Sequence, residues 1–349
     1  MALLRLLAIR ALTMGLVLVT VLFLMVLILG ATGYSDLILR NIVREELRFI
    51  RQGLAETIRD PAELERALEK IRQDREILYG LDKPWYTRLP QMIVRVLTLD
   101  LGESRTLQTA RGSRLVSEII LERLPNTILL FTTAWFVYVL IGIPLGVYLS
   151  TRVGGRIDRA LSVFASVSYA VPTWWLALFM IMIFAISLRI LPSGGMYSSP
   201  PPEGGLARFL DLAYHTILPV MTLVLAAVGP VIYSTRTLTL TTAQEDHVTY
   251  ARAKGLDERA VMYRHILRVA APPIVTGLLL GLTGTIAGGI LTETVFNWRG
   301  MGRLYWDALR GTPDEAVIIG LTFIYTLIYV LARFVLEVLY LVLDPRVRY

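Results

Sequence analysis

The sequence predicts an all-α membrane protein with six transmembrane helices and a helical extracytoplasmic insertion after the first span. Three observations carry that prediction. The 349 residues are 55% hydrophobic, above the roughly 45–50% of soluble domains, and the mean hydropathy is +0.59. The apolar residues stand in unbroken blocks instead of being dispersed at helix or strand spacing. Basic residues gather in alternate loops between those blocks. Disorder, a collagen-like fibre and an ordinary soluble enzyme are thereby excluded. A net charge of +7 would suggest nucleic acid in a soluble protein, but a membrane protein has its own reason for basic loops. Cysteine is absent, which removes disulfides, thiolate metal sites and a cysteine nucleophile.

A spanning helix needs about 20 mostly apolar residues to cross a hydrocarbon layer about 30 Å thick. Segments 11–30, 127–150, 160–188, 216–235 and 269–291 carry no charge, and 316–343 is interrupted only by Arg333 and Glu337. Without water to satisfy backbone groups, such segments are helices or barrel strands; their length and lack of alternation favour helices. The first resembles a secretory signal in having Arg5 and Arg10 ahead of it. Its apolar core is longer than a signal's, and no A-x-A site follows, so we read it as an uncleaved anchor. Arg152, Arg156 and Arg159, the six basic residues of 236–268, and Arg346 and Arg348 fall on one face of a six-span chain. The short loops 189–215 and 292–315 on the other face carry five. The positive-inside rule then puts both termini in the cytoplasm of a multi-pass inner or plasma membrane protein. The chain divides into an anchor (1–30), an extracytoplasmic cap (31–126) and a five-helix core (127–349) with a cytoplasmic loop at about 241–268.

In the cap, Asp60-Pro61-Ala62-Glu63 reads as a helix start, with Asp60 as N-cap, Pro61 in the first turn and Glu63 reaching back. Leu64, Leu68, Ile71 and Leu78 follow at helical spacing, and 41–58 is a second amphipathic candidate. The cap is a cover packed on the membrane domain or a docking surface for an external partner; the pattern serves either.

No phosphate-binding G-x-x-x-x-G-K-[ST] loop, H-E-x-x-H or G-x-S-x-G occurs, and the three histidines are far apart. We therefore expect no catalytic, cofactor or metal site on this chain. Gly277, Gly281, Gly284 and Gly288 share one helix face, which suits tight packing or a sliding, pathway-lining surface. Pro172, Pro219 and Pro230 each predict a kink within a span. Arg333 and Glu337 lie four residues apart, a spacing that suits an intramembrane ion pair near the interface or a relay.

The most informative stretch is the loop before the fifth span. It reads as a helix up to Lys254, a stop at Gly255 in the left-handed position, and a second helix capped by Asp257. A helix pair tethered between two spans could hardly follow a DNA groove.

At this loop the chain resembles the permease subunits of ABC importers, and within them the peptide/nickel branch of the first-permease type. Thr249, Tyr250, Ala251, Arg252, Ala253, Lys254, Gly255, Leu256 and Asp257 resemble the family's cytoplasmic-loop motif, without its leading Glu. Similar branch signatures are Gly80-Leu81-Asp82-Lys83-Pro84, Leu99-Asp100-Leu101-Gly102-Glu103-Ser104, Arg123-Leu124-Pro125-Asn126-Thr127 and Gly142-Ile143-Pro144-Leu145-Gly146. Glu293-Thr294-Val295-Phe296, Gly300-Met301-Gly302, the stretch from Asp307 to Asp314, and the ending Asp344-Pro345-Arg346-Val347-Arg348-Tyr349 complete them. The likeness runs from Tyr79 to Tyr349, and the chain departs from it in 31–36 and in a longer helical stretch thereafter.

The resemblance implies a type I ABC importer permease fold. It implies partners as well: a homologous second permease, two cytoplasmic ATPase subunits that bind ATP and Mg, and an extracytoplasmic substrate-binding protein. Residues 249–257 would dock in an ATPase groove, with Ala251 and Ala253 permitting close approach and Arg252 and Lys254 pairing with acidic groups there. Di- or oligopeptides are the expected substrates, with nickel complexes, glutathione or oligosaccharides as alternatives within the family. An ion-coupled secondary transporter is the alternative of another class, although the inverted repeats it would favour are not evident.

Overall fold

The structure, a computed structural model, describes residues 2–87, 90, 93–94, 97–286, 289–311 and 313–343. In parts of the helices, including 282–286 and 336–337, it describes the backbone alone. Every named element among the described residues is helical; an isolated antiparallel bridge joins Glu103 to Leu115.

Helix α1 (Ala2–Ala31) is about 45 Å long at 1.5 Å per residue. Gly33, at φ +68°, turns the chain into α2 (Tyr34–Thr57). Helix α3 (Pro61–Leu78) starts as the sequence predicts: Asp60 Oδ1 accepts the Ala62 amide at 3.0 Å and Pro61 opens the first turn. Arg51 meets Glu65 at 2.7 Å, while Glu46 accepts from Tyr79 at 2.5 Å and lies 3.3 Å from Arg75. That register makes α2 and α3 an antiparallel hairpin, with Val43 and Leu68 buried between them. Trp85 is set against Gly30, where a Cβ would fall 2.1 Å from the indole. The cap is thus anchored to the end of α1.

Helix α4 (Val116–Ser150) runs through Pro125 and Pro144, and α7 (Gly205–Ala243) runs through Pro219 and Pro230. Between them lie α5 (Arg156–Ala170) and α6 (Thr173–Met180), which continues as a π-helical stretch over Ile181–Ser187. The predicted third span is not one straight helix: its two halves are bent by 104°. The residue before a proline is pushed out of the helical region, and Val171 is extended at φ −84°, ψ 122°. Helix α8 (Asp246–Ala253) forms the loop helix; a short turn and a π-helical stretch lead into α9 (Leu267–Ile286). Then come α10 (Ile290–Val295), α11 (Met301–Leu309) and α12 (Glu315–Leu343).

Among the described residues four helices are long and apolar enough to cross a membrane, within Ala8–Met25, Val116–Ser150, Gly205–Ala243 and Glu315–Val335; the bent pair would make five. The predicted span 269–291 falls partly outside the described residues.

Two contacts organise the bundle. Helices α4 and α7 lie against each other at Gly146, where a Cβ would come within 2.8 Å of the Ile232 carbonyl oxygen. Small residues allow such backbone approach where lipid tails remove any hydrophobic drive. Ala134, Leu149, Val224, Val228 and Ile232 fill the seam. At the other side, Leu22 of α1 joins Val116, Ile119 and Ile120 of α4, Met301 and Leu304 of α11, and Val317 and Leu321 of α12 in one buried cluster.

Candidate coupling loop, cavity and buried clasp

The loop below the spans is a small folded unit. Val248 and Ala251 of α8 pack against Val261 and Ile266 of the following helix, all four buried. Gly255 stands at φ +76°, a conformation open to glycine and strained for other residues. Asp257 Oδ2 accepts the Arg259 amide at 3.1 Å, as expected of an N-cap. Arg252 closes the turn on Glu258, with N–O distances of 2.9 and 3.4 Å. The Lys254 ammonium sits 5.8 Å from the Tyr250 ring centroid. His247 Nε2 lies 3.0 Å from the His265 carbonyl oxygen, which joins the two arms again.

This alters two expectations. Ala251 is only 4% exposed and serves the loop's own core instead of a partner's approach. Arg252 is already engaged within the loop. The outward surface is made by Thr249, Tyr250, Ala253, Lys254, Leu256 and Asp257, with Tyr250 70% exposed.

A cavity of about 240 Å³ opens where α4, α6, α7 and α9 meet. Phe131, Ala134, Tyr138, Thr173, Leu223, Ala226, Ala227 and Gly281 line it. Of the predicted glycine face, Gly281 therefore borders open space beside the Tyr138 hydroxyl and Trp135. A Cβ at Gly277 would meet nothing within 4 Å among the described residues. The surroundings of Gly284, and all of Gly288, lie outside the described residues. Arg333 is half-buried on α12, while the Glu337 side chain lies outside the described residues.

Sequence reasoning missed a third feature, a clasp on the loops that follow α9. Glu293 is fully buried. Thr127 Oγ1 donates to its Oε1 at 2.7 Å and the Arg303 amide to its Oε2 at 3.0 Å. Thr127 in turn accepts the Met301 amide at 2.7 Å. Gly300 is obligatory here, since a Cβ would lie 2.4 Å from the Glu293 carboxyl. Asn126 donates to the Arg299 carbonyl at 2.7 Å and its own carbonyl accepts Trp298 Nε1 at 2.9 Å. Burial pushes the Glu293 carboxyl above its ordinary range, opposed by hydrogen bonds from Thr127 and the Arg303 and Gly302 amides. Asp314, also buried, accepts from Ser104 Oγ at 2.8 Å and from the Arg105 and Thr106 amides at 2.7 and 3.1 Å. The signal in the sequence was an acid standing directly after an apolar run, beside glycines. Its side-chain partner Thr127, 166 residues away, could not be read there.

Apolar helices long enough to cross a membrane, a folded loop between two helices and a cavity among them describe an all-helical membrane protein. Residues 142–349 match the family described as binding-protein-dependent transport system inner membrane component, and the chain belongs to that family. It is 31% identical over 271 residues to the oligopeptide transport system permease protein AppB of Bacillus subtilis (strain 168), covering 78% of this chain and 83% of that one. It is 32% identical over 287 residues to the dipeptide transport system permease protein DppB of Escherichia coli (strain K12), covering 77% and 83%. Among solved structures, an inward-facing form of the MetNI methionine ABC transporter superposes with a TM-score of 0.51 at 15% identity. It covers 65% of this chain and 97% of that chain, a likeness of fold.

Proposed function

We propose that the chain is one of two permeases in an ATP-driven importer of di- or oligopeptides. The exposed face of 249–257 docks on an ATPase subunit, both termini are cytoplasmic, and six spans carry the division into anchor, cap and core. ATP and Mg bind on the ATPase partners, and an extracytoplasmic binding protein delivers substrate. The single observation that supports this best is the self-contained loop: its core is complete without help, yet Tyr250 and Leu256 stay exposed at 70% and 42%. A rigid body of that kind transmits motion from a closing ATPase to the helices it joins. The glycine-flanked cavity gives the pathway somewhere to start, and the relatives' names favour peptides. The test is uptake of labelled peptide into vesicles holding the whole complex. ATP-dependent uptake that needs the binding protein is expected; uptake driven by an ion gradient without ATP would contradict it.

A further inference from the structure

We propose that Arg123, Arg299 and Arg303 form a carboxylate-binding subsite at the extracytoplasmic mouth of the pathway, where the free C-terminal carboxylate of the transported peptide is held. The inference rests on the peptide-import reading above.

The clasp brings the three together. Asn126 and Thr127 bind the backbone of Arg299 and Met301, so 299–303 lies alongside the start of α4, one helical turn from Arg123. The charges that act on Arg123 through space are Glu122, Arg299, Asp307 and Arg303. Three cations thus act there against two carboxylates, and neither carboxylate hydrogen-bonds Arg123 Nε. Glu122 Oε1 stands 3.8 Å from Arg123 Nε, an ion-pair contact too long for a hydrogen bond, while Glu122 Oε2 accepts the Ala110 amide at 2.9 Å. Asp307 leans on Arg303 at 3.6 Å. Among the described residues the Arg123 Nε is buried with no hydrogen-bond partner, and Arg299 is exposed with no ion pair.

A guanidinium with a free donor beside two more cations is matched by a planar anion that accepts in pairs. The Arg123 side chain is 22% exposed, which a small ligand reaches more readily than a protein surface does. Arg123 also shares a helix face with the cavity. At 100° per residue, Arg123, Thr127, Phe131, Ala134 and Tyr138 fall within about 80° of one another, and Phe131 lies about 12 Å below Arg123. A peptide held by its carboxylate at the mouth would lead its remaining residues toward that cavity.

The experiment compares uptake of one peptide as free acid and as C-terminal amide, by the whole complex in liposomes. Each peptide is presented at saturation on the binding protein, whose own preference is measured separately. The wild type should favour the acid about tenfold, the scale of one charge-assisted hydrogen bond. Arg123→Gln and Arg299→Gln should each bring the ratio toward one, and Arg123→Lys should restore part of it. Arg299 is exposed, so its variant decides the matter if Arg123→Gln fails to assemble. An unchanged ratio in the variants, or no preference in the wild type, would overturn the subsite while leaving peptide import standing. Equal loss for acid and amide with weaker docking of the binding protein would make the cluster a protein contact and overturn it too. No peptide uptake at all by the wild type would sink the peptide reading, and the subsite with it.

Discussion

Two buried acids hold the chain's distant segments together, and they do so in different ways. Asp314 gathers two hydroxyls and two backbone amides from 104–106, so its removal leaves the buried Ser104 hydroxyl without its acceptor. Asp314→Ala should lower stability by about 3 kcal/mol and Asp314→Asn by about 1 kcal/mol, read from thermal unfolding in detergent. Glu293 is held by three donors against the desolvation of its burial. Its folded pKa is raised, so its contribution to stability is full below the unfolded pKa and is lost as pH rises through the folded value. Wild-type thermal stability should fall as pH climbs from the ordinary carboxylate range through that raised value. Glu293→Gln should flatten the slope; an equal slope in the variant would contradict the assignment. Neither acid's role was legible in the sequence, because both depend on partners far along the chain. Asp60, Gly255 and Asp257 were legible, since a cap or a left-handed turn is decided within a few residues.

At the scale of elements, α8 and the helix after it form a unit whose inside and outside can be separated by mutation. Ala251→Leu overfills a core of small aliphatic side chains and should destabilise the loop by about 1–3 kcal/mol. Gly255→Ala should cost about 1 kcal/mol through its positive φ, and Gly255→Pro more, since proline fixes φ near −65°. These variants should reach the membrane and lose ATP-driven uptake, Gly255→Pro most and Gly255→Ala least. Wild-type uptake by Gly255→Pro would refute the loop's part in coupling. Hydropathy located the helices well because burial in lipid is written in composition alone. Hydropathy alone does not show the bend in the third span, but Pro172 predicts a kink there, and the two halves meet at 104°. The resemblance set Ala251 toward a partner, because a shared motif does not show which neighbour covers a helix face; here Ala251 is buried in the loop's own core.

Taken whole, the chain combines lipid-compatible helices with an exposed loop face and carries no phosphate-binding loop. Large apolar side chains such as Phe136, Leu140 and Tyr169 are 65%, 76% and 83% exposed, a surface that lipid or a second permease must cover. Purified alone, the chain should hydrolyse no ATP; steady hydrolysis would reassign the division of labour. The central claim is that the exposed face of 249–257 meets an ATPase subunit, and the absence of cysteine makes it directly testable. A lone cysteine at Ala253, in native membranes holding the whole complex, should crosslink to the ATPase subunit. Nucleotide trapping should change the yield. Crosslinking to the extracytoplasmic binding protein, or none to the ATPase in a complex that still imports, would contradict the account.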